Sequence, residues 1–460
     1  MTTRTRYSVV LIIVFVLSLT GGIAAQSKKD KAKAKQIVDA ANKAFQAKNY
    51  QTAADGYAQA IAIIPNNPDA HYWNAVAHYY MKDNGVAETE FQQALLQGYK
   101  PIEVYRIRWF LYYDEKNYDA ALNDLNKAAM IEPKNLSFIK GIGEIYFAKG
   151  QYAAALDAYQ KGSLIDPKDA ELYYNIARVQ AAQGNVKEQG MAAEEALKRG
   201  TQWVGESYFL LGDSQQKQRQ YDAAAGSYER AIAAKPGNYQ AYRNLSEVYR
   251  ALSRYTDAID ITKKAILQFP DDGNLYTDIA WYYSFANRSA EAVQAAQSAT
   301  RLLPDQYMGY TNLCRALNDT QQYAEAIKAC NNALRLNPGD GETNFYLARS
   351  YDFLGRKADA TPLYAKAVKG LVTFTQANPD YSDGFYLLGG AYYANNQSDE
   401  AIDAYKTCLT LSPNNVKARF NLGAVYVVNK NKAAATEQYQ ALLTLDPDQA
   451  AKLKALIDKR

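Results

Sequence analysis

Tyr239 to Pro270 reads YQAYRNLSEVYRALSRYTDAIDITKKAILQFP, and most of the chain is a variation on it. Tyr242, Leu245, Tyr249 and Leu252 recur at spacings of three and four, which places them on one face of a helix. Arg254-Tyr255-Thr256-Asp257 interrupts that pattern, with Thr256 placed to cap a second helix. The second face is marked by Ala258, Thr262, Ala265, Ile266 and Phe269, and Pro270 stops it. Two helices joined by so short a turn lie antiparallel, and Ser246, Ala258 and Ala265 are small enough to let the backbones approach. One such hairpin cannot bury both of its faces, so it needs copies of itself.

The copies are present. Closing prolines fall at Pro65, Pro133, Pro167, Pro236, Pro270, Pro304, Pro338, Pro379, Pro413 and Pro447, mostly at intervals of 34 residues or twice that. With Tyr239 as position 1, position 20 is alanine in eleven of twelve units, from Ala53 to Ala435. Position 8 is small in most units and position 17 is often tyrosine. This resembles the tetratricopeptide repeat family over residues 34 to 449, as twelve repeats. The resemblance implies an all-α solenoid, a right-handed superhelix of antiparallel helix pairs with an open concave groove.

Composition bounds the reading further. A solenoid has no single core, so 460 residues are compatible with one array. The chain holds 52 basic and 48 acidic residues, and a leader carrying Arg4 and Arg6 accounts for two of the four excess positive charges. Nothing in this balance points to nucleic acid. Tyrosine is the outlier at 39, against 14 phenylalanines and 4 tryptophans, and most of it belongs to helix contacts at repeat positions 4, 11, 17 and 24.

Residues 1–25 read as a signal peptide or a signal anchor: two arginines, the apolar run Val9 to Leu19, then small residues. Export to the periplasm or cell envelope is the expectation. The alternative is an uncleaved anchor, in which the lysines from Lys28 to Lys35 hold the downstream side in the cytoplasm and residues 7–25 make the membrane contact. Residues 26–33 read as a Lys-rich linker, 34–204 as repeats 1–5, and 205–379 as repeats 6–10. The last of these ends in a second helix lengthened by seven residues. Repeats 11 and 12 fill 380–449, and 450–460 form a C-terminal capping helix started by Asp448.

The usual catalytic signatures are missing. No Gly-rich phosphate loop, His-Glu-x-x-His helix or nucleophile motif occurs, so neither an enzyme nor a cofactor is expected. The only histidines, His71 and His78, lie two turns apart on one helix, too far to chelate one ion by themselves. Cys314 and Cys330 occupy positions 8 and 24 of repeat 9. Hairpin pairing sets these opposite each other, so a disulfide is sterically open to them in an oxidising compartment. The other reading makes both small core residues, as for Cys408.

In the family the first helix of each repeat lines the concave surface. Carried over, that implies a groove containing Tyr72, Tyr79, Phe110, Tyr113, Tyr174, Arg178, Trp281, Arg315, Phe345, Arg349, Tyr386 and Tyr393. Asparagine at position 6 in four units, Asn175, Asn244, Asn312 and Asn421, resembles the asparagine ladder of repeat proteins that grip a peptide backbone. The carboxylate clamp of chaperone-binding members is not matched, since Lys140 is followed by Glu144. The resemblance implies a non-enzymatic scaffold that holds other proteins or extended peptides. The alternative is a carbohydrate-handling module of a polysaccharide export system, since aromatics beside carboxylates also suit a glycan.

Overall fold

The computed structural model describes residues 28–459, and the leader expected over residues 1–25 lies outside the described residues. Among the described residues there are 25 helices and no strand. The first helix begins at Lys28, so the part of the lysine run read as linker is helical from that residue onward. Lysine and alanine are good helix formers, and Asp30 places a negative charge in the first turn.

Each hairpin turns on its fifteenth residue, which sits at positive φ. Gly150, Gly184 and Gly355 supply it in three repeats, whereas Lys48, Lys82, Lys116, Arg219, Ser253, Asn287, Gln321, Asn396 and Lys430 do so in the other nine. A side chain there costs of order 1 kcal/mol. Hydrogen bonds to the last carbonyls of the helix offset it: Ser253 N–H donates to Arg250 O and Arg254 N–H to Tyr249 O, both at 2.8 Å. The connection between repeats is different. Ahead of a closing proline the chain must be extended, as at Phe269 (φ −132°) and Leu303 (φ −129°). Repeats 2 and 5 lack that proline and end instead on Gly98 and Gly200, at φ 86° and 78°.

Burial explains the small positions. Every alanine at position 20 is at most 2% exposed, because the two helices of a hairpin touch there. Positions 8 and 24 trade volume. A Cβ on Gly143 would lie 2.5 Å from the Tyr159 ring, on Gly212 2.9 Å from Tyr228, and on Gly389 2.7 Å from Tyr405. Repeat 3 reverses the sizes with Trp109 against Leu125, both buried. In repeat 9 the same two positions hold Cys314 and Cys330, whose Cα atoms are 5.1 Å apart and whose sulfurs are bonded. Cys408 is buried and free.

The chain divides into two compact units between Gln183 and Gly184. The division falls inside repeat 5, between its two helices, and Gln189 supplies a physical reason. Standing where other units have alanine, it is fully buried and donates from Nε2 to Leu210 O (2.7 Å) and to Asp213 (2.8 Å). Ser214 Oγ donates to Val186 O at 2.6 Å. The second helix of repeat 5, Val186–Lys198, is therefore tied to the first helix of repeat 6, Val204–Lys217. In repeat 10 the second helix runs unbroken from Lys357 to Ala377, 21 residues against 14 in its neighbours. The last helix spans Pro447–Asp458 and is capped by Asp446, which accepts from Gln449 N–H, with Pro447 in its first turn. Asp448 instead contributes first-turn charge, and the buried face is Ala450, Leu453 and Ile457.

Candidate functional site

Five of the expected groove residues come together in the second unit. Phe345, Arg349, Tyr386, Tyr393 and Asn421 line one cavity of about 690 Å³ formed by the first helices of repeats 10–12: Gly341–Phe353, Ser382–Ala394 and Val416–Val428. Tyr346, Tyr364 and Tyr405 complete its aromatic wall, and Phe353, Val428 and Leu456 lie exposed along its rim. The Arg349 guanidinium sits 5.9 Å from the Phe345 ring centroid, 5.6 Å from Tyr346 and 5.7 Å from Phe353. It forms no ion pair among the described residues. A half-buried guanidinium held by rings is prepared to receive a carboxylate, since its own planar fork is already fixed.

Repeats 7 and 8 are instead bridged to repeats 11 and 12. Arg250 donates to Asp383 at 2.8 Å, 133 residues away, and Asp383 is fully buried. Tyr255 O–H also donates to Asp383 (3.1 Å), the hydroxyls of Ser253 and Ser412 meet at 2.9 Å, and Lys417 donates to Ser284 O at 2.8 Å. Arg250 further pairs with Glu247 at 2.7 Å and lies 4.1 Å from the centre of the Tyr381 ring. Burial raises the Asp383 carboxyl although Arg250 opposes it, and burial draws Lys417 down to about 8.

Burial corrects the expectation for two of the groove residues. Asn312 and Arg315, expected to face a ligand, are 3% and 2% exposed. Arg315 donates to Glu342 and to Asn312 Oδ1, and Asn312 donates to Thr277 O at 2.8 Å. Trp281 is half-buried, stacked on Phe285 with centroids 3.9 Å apart.

In the first unit the expected residues divide. Phe110 is 43% exposed, while Tyr79, Tyr113, Tyr174 and Arg178 are half-buried. Tyr72 is buried, stacked on Tyr99 at 4.3 Å, and Asn175 is buried beneath Arg178, which it accepts from at 2.9 Å. Arg178 also pairs with Glu144 at 2.9 Å and lies over the Phe147 ring.

The asparagine row is committed inward. Asn244 and Asn421 each donate to a position-24 tyrosine of the preceding repeat, Tyr228 (3.0 Å) and Tyr405 (3.3 Å). Their amides satisfy buried phenols, and with Asn175 and Asn312 also engaged the row is structural rather than a ladder presented to a peptide. His71 is likewise a buried polar residue, set between Glu90 (2.5 Å) and Pro65 O (2.9 Å). Among the described residues no three His, Cys, Asp or Glu groups converge on a metal position.

Sequence reasoning missed the closing residues Asp383, Tyr255 and Lys417. No local signal marks them, because each partner lies more than a hundred residues away.

Two family models match the chain. The one described as Tetratricopeptide repeat matches residues 209–273 and 277–341, and the one described as TPR repeat matches residues 143–184 and 389–429. No curated protein matches it. Similar solved structures include the C-terminal part of a TPR repeat-containing protein from Cytophaga hutchinsonii, at 16% identity over 49% of this chain and 93% of that one, TM-score 0.42. A MamA protein is 23% identical over 37% of this chain and 92% of its own, TM-score 0.35. The APC/C hetero-tetramer Cut9-Hcn1 aligns at 15% identity over 90% of this chain and 95% of that one, TM-score 0.35. With family matches in four separate stretches, and the 34-residue hairpin carrying its alanine contact and its left-handed turn from one repeat to the next, the chain belongs to the tetratricopeptide repeat family.

Proposed function

We propose that this protein is a non-catalytic protein-binding scaffold whose aromatic cavity in repeats 10–12 holds an extended segment of a partner. The observation that carries the reading is Arg349, a guanidinium framed by three rings and without an ion pair among the described residues, at the wall of an open, largely aromatic cavity that Asp352 and Lys459 also line. A peptide presenting a carboxylate next to a large apolar side chain meets both demands, the charge on Arg349 and the ring on Tyr386, Phe345 or Tyr393. The test is selection of a displayed random-peptide library on the full chain. Peptides with an acidic residue beside an apolar one are expected, and Arg349→Gln or Tyr393→Ala should weaken them about tenfold. Selected peptides that bind both variants as well as the parent would refute the assignment.

Export is the second part of the proposal. The apolar run from Val9 to Leu19 followed by small residues supports a cleaved leader, and the bonded Cys314 and Cys330 support an oxidising destination. Native protein alkylated under denaturing, non-reducing conditions should show a chain beginning near Gln26 with one modified thiol, Cys408. A full-length chain with three modified thiols would place it instead as an anchored protein facing a reducing compartment.

A further inference from the structure

A second cavity, of about 790 Å³, opens within the second unit among repeats 7–10. That volume suits a small ligand, for which pockets of roughly 300–1,000 Å³ are usual. Its construction separates it from the repeat plan. One wall is the lengthened helix of repeat 10, through Lys369, Gly370, Leu371, Thr373 and Phe374. These residues lie in the stretch that carries the seven-residue insertion, the largest departure from the repeat register. The helix is seated by missing side chains. A Cβ on Gly341 would fall 2.4 Å from Leu371 N, and one on Gly370 2.6 Å from Gly339 O, so backbone touches backbone along the cavity's edge. The remaining wall includes Trp281, Tyr282 and Tyr381.

The charges lining the cavity balance. Glu247, Asp278, Asp340 and Glu342 stand against Arg243, Arg250, Lys366 and Lys369. Glu247 is paired with Arg250 at 2.7 Å, Asp278 with Arg243 at 3.1 Å, and Glu342 with Arg315. Such a wall favours neither a free anion nor a free cation, but it is dense in hydrogen-bonding groups. Arg243 Nε is buried without a hydrogen-bond partner among the described residues, and Lys366, Lys369 and Thr373 stand exposed on the lengthened helix. Placing ion pairs in a protein interior is costly, and apolar side chains of similar volume would often hold the fold as well. The ligand that fits is neutral, has an apolar ring face for the aromatics, and carries hydroxyls that both donate and accept.

We infer that the cavity between the lengthened helix of repeat 10 and the first helices of repeats 7–9 is a binding site for a short neutral saccharide. It shares Leu387 with the peptide cavity but is built from its own charged and aromatic residues, so either assignment stands without the other. The test screens the full chain on an array of immobilised neutral and uronic-acid oligosaccharides, with calorimetry on the strongest binder. Neutral members are expected to bind. Thr373→Trp, which fills the cavity from an exposed helical position, and Phe374→Ala should each weaken binding about tenfold or more. Tyr393→Ala, in the other cavity, should leave it unchanged. Absence of binding to every neutral member, preference for the uronic acids, or indifference to Thr373→Trp would overturn the inference. Competition by the peptides selected on the Arg349 cavity would overturn it too, since the two cavities would then form one peptide channel.

Discussion

Arg315 and Arg349 hold the same position, the ninth, in adjacent repeats, and they do opposite things. Arg315 is 2% exposed, bound to Glu342 and Asn312 and covered by Trp281, Phe285 and Tyr346. Arg349 stands in an open cavity without an ion pair among the described residues. What separates them is the second residue of the following repeat. For Arg315 that residue is Glu342, and the pair forms. For Arg349 it is Asp383, and Asp383 is already taken by Arg250 and Tyr255 from repeat 7. Arg349 thus lacks the partner that its register would give it, while Asp352 lines the same cavity. Repeat register alone does not decide which arginine is core and which is site; the allocation of carboxylates does.

The strongest way to break this contrast is Arg250→Met. Asp383 is fully buried, and removing its cation strands a carboxylate in the interior, which costs about 3–5 kcal/mol. Chemical denaturation of the second unit should record the loss. A sharper consequence concerns binding. With Arg250 gone, Asp383 keeps only Tyr255 and Asn415 as partners, and if it turned to Arg349 as Glu342 turns to Arg315, whatever folded protein remains would lose its preference for acidic peptides. If it kept that preference undiminished, the carboxylate allocation would not be what frees Arg349.

The repeat plan was legible because it rests on sterics between residues close in sequence. Gly212 against Tyr228, or Gly143 against Tyr159, are contacts within one hairpin, and periodicity reports them directly. The left-handed residue at position 15 was legible only where it is glycine, since Lys82 or Gln321 in that conformation is stabilised by backbone hydrogen bonds that leave no mark on composition. The groove was misread for Asn312 and Arg315 for another reason. Each carries the residue type and register of a ligand contact, and what buries them is a closure assembled from pairs such as Arg250 with Asp383 and Lys417 with Ser284. Long-range pairing of this kind has no period. The aromatic cavity, by contrast, was half legible: Phe345, Tyr386 and Tyr393 fell where the register put them, while Tyr364 and Tyr405 come from second helices that the groove pattern does not count.

A smaller effect sharpens the electrostatics of the closed side. Asp278 faces Arg243 at 3.1 Å, yet burial, aided by Glu247, carries its carboxyl up to about 6 from an ordinary 3.8. A folded-state pKa above the unfolded one means that ionising the group works against folding. The penalty is absent below about pH 4, develops between pH 4 and 6, and is complete above 6. Asp278→Asn keeps an acceptor for Arg243 and never ionises. Its stability relative to the parent should therefore rise from near zero at low pH to an advantage of about 3 kcal/mol at pH 7, level thereafter. Denaturant midpoints of the two proteins across pH 4 to 8 measure this. A variant less stable than the parent at pH 7, by a gap that widens as pH rises, would mean the Arg243 pair outweighs the burial of Asp278. The closed face would then be held by its charges rather than carrying them at a cost.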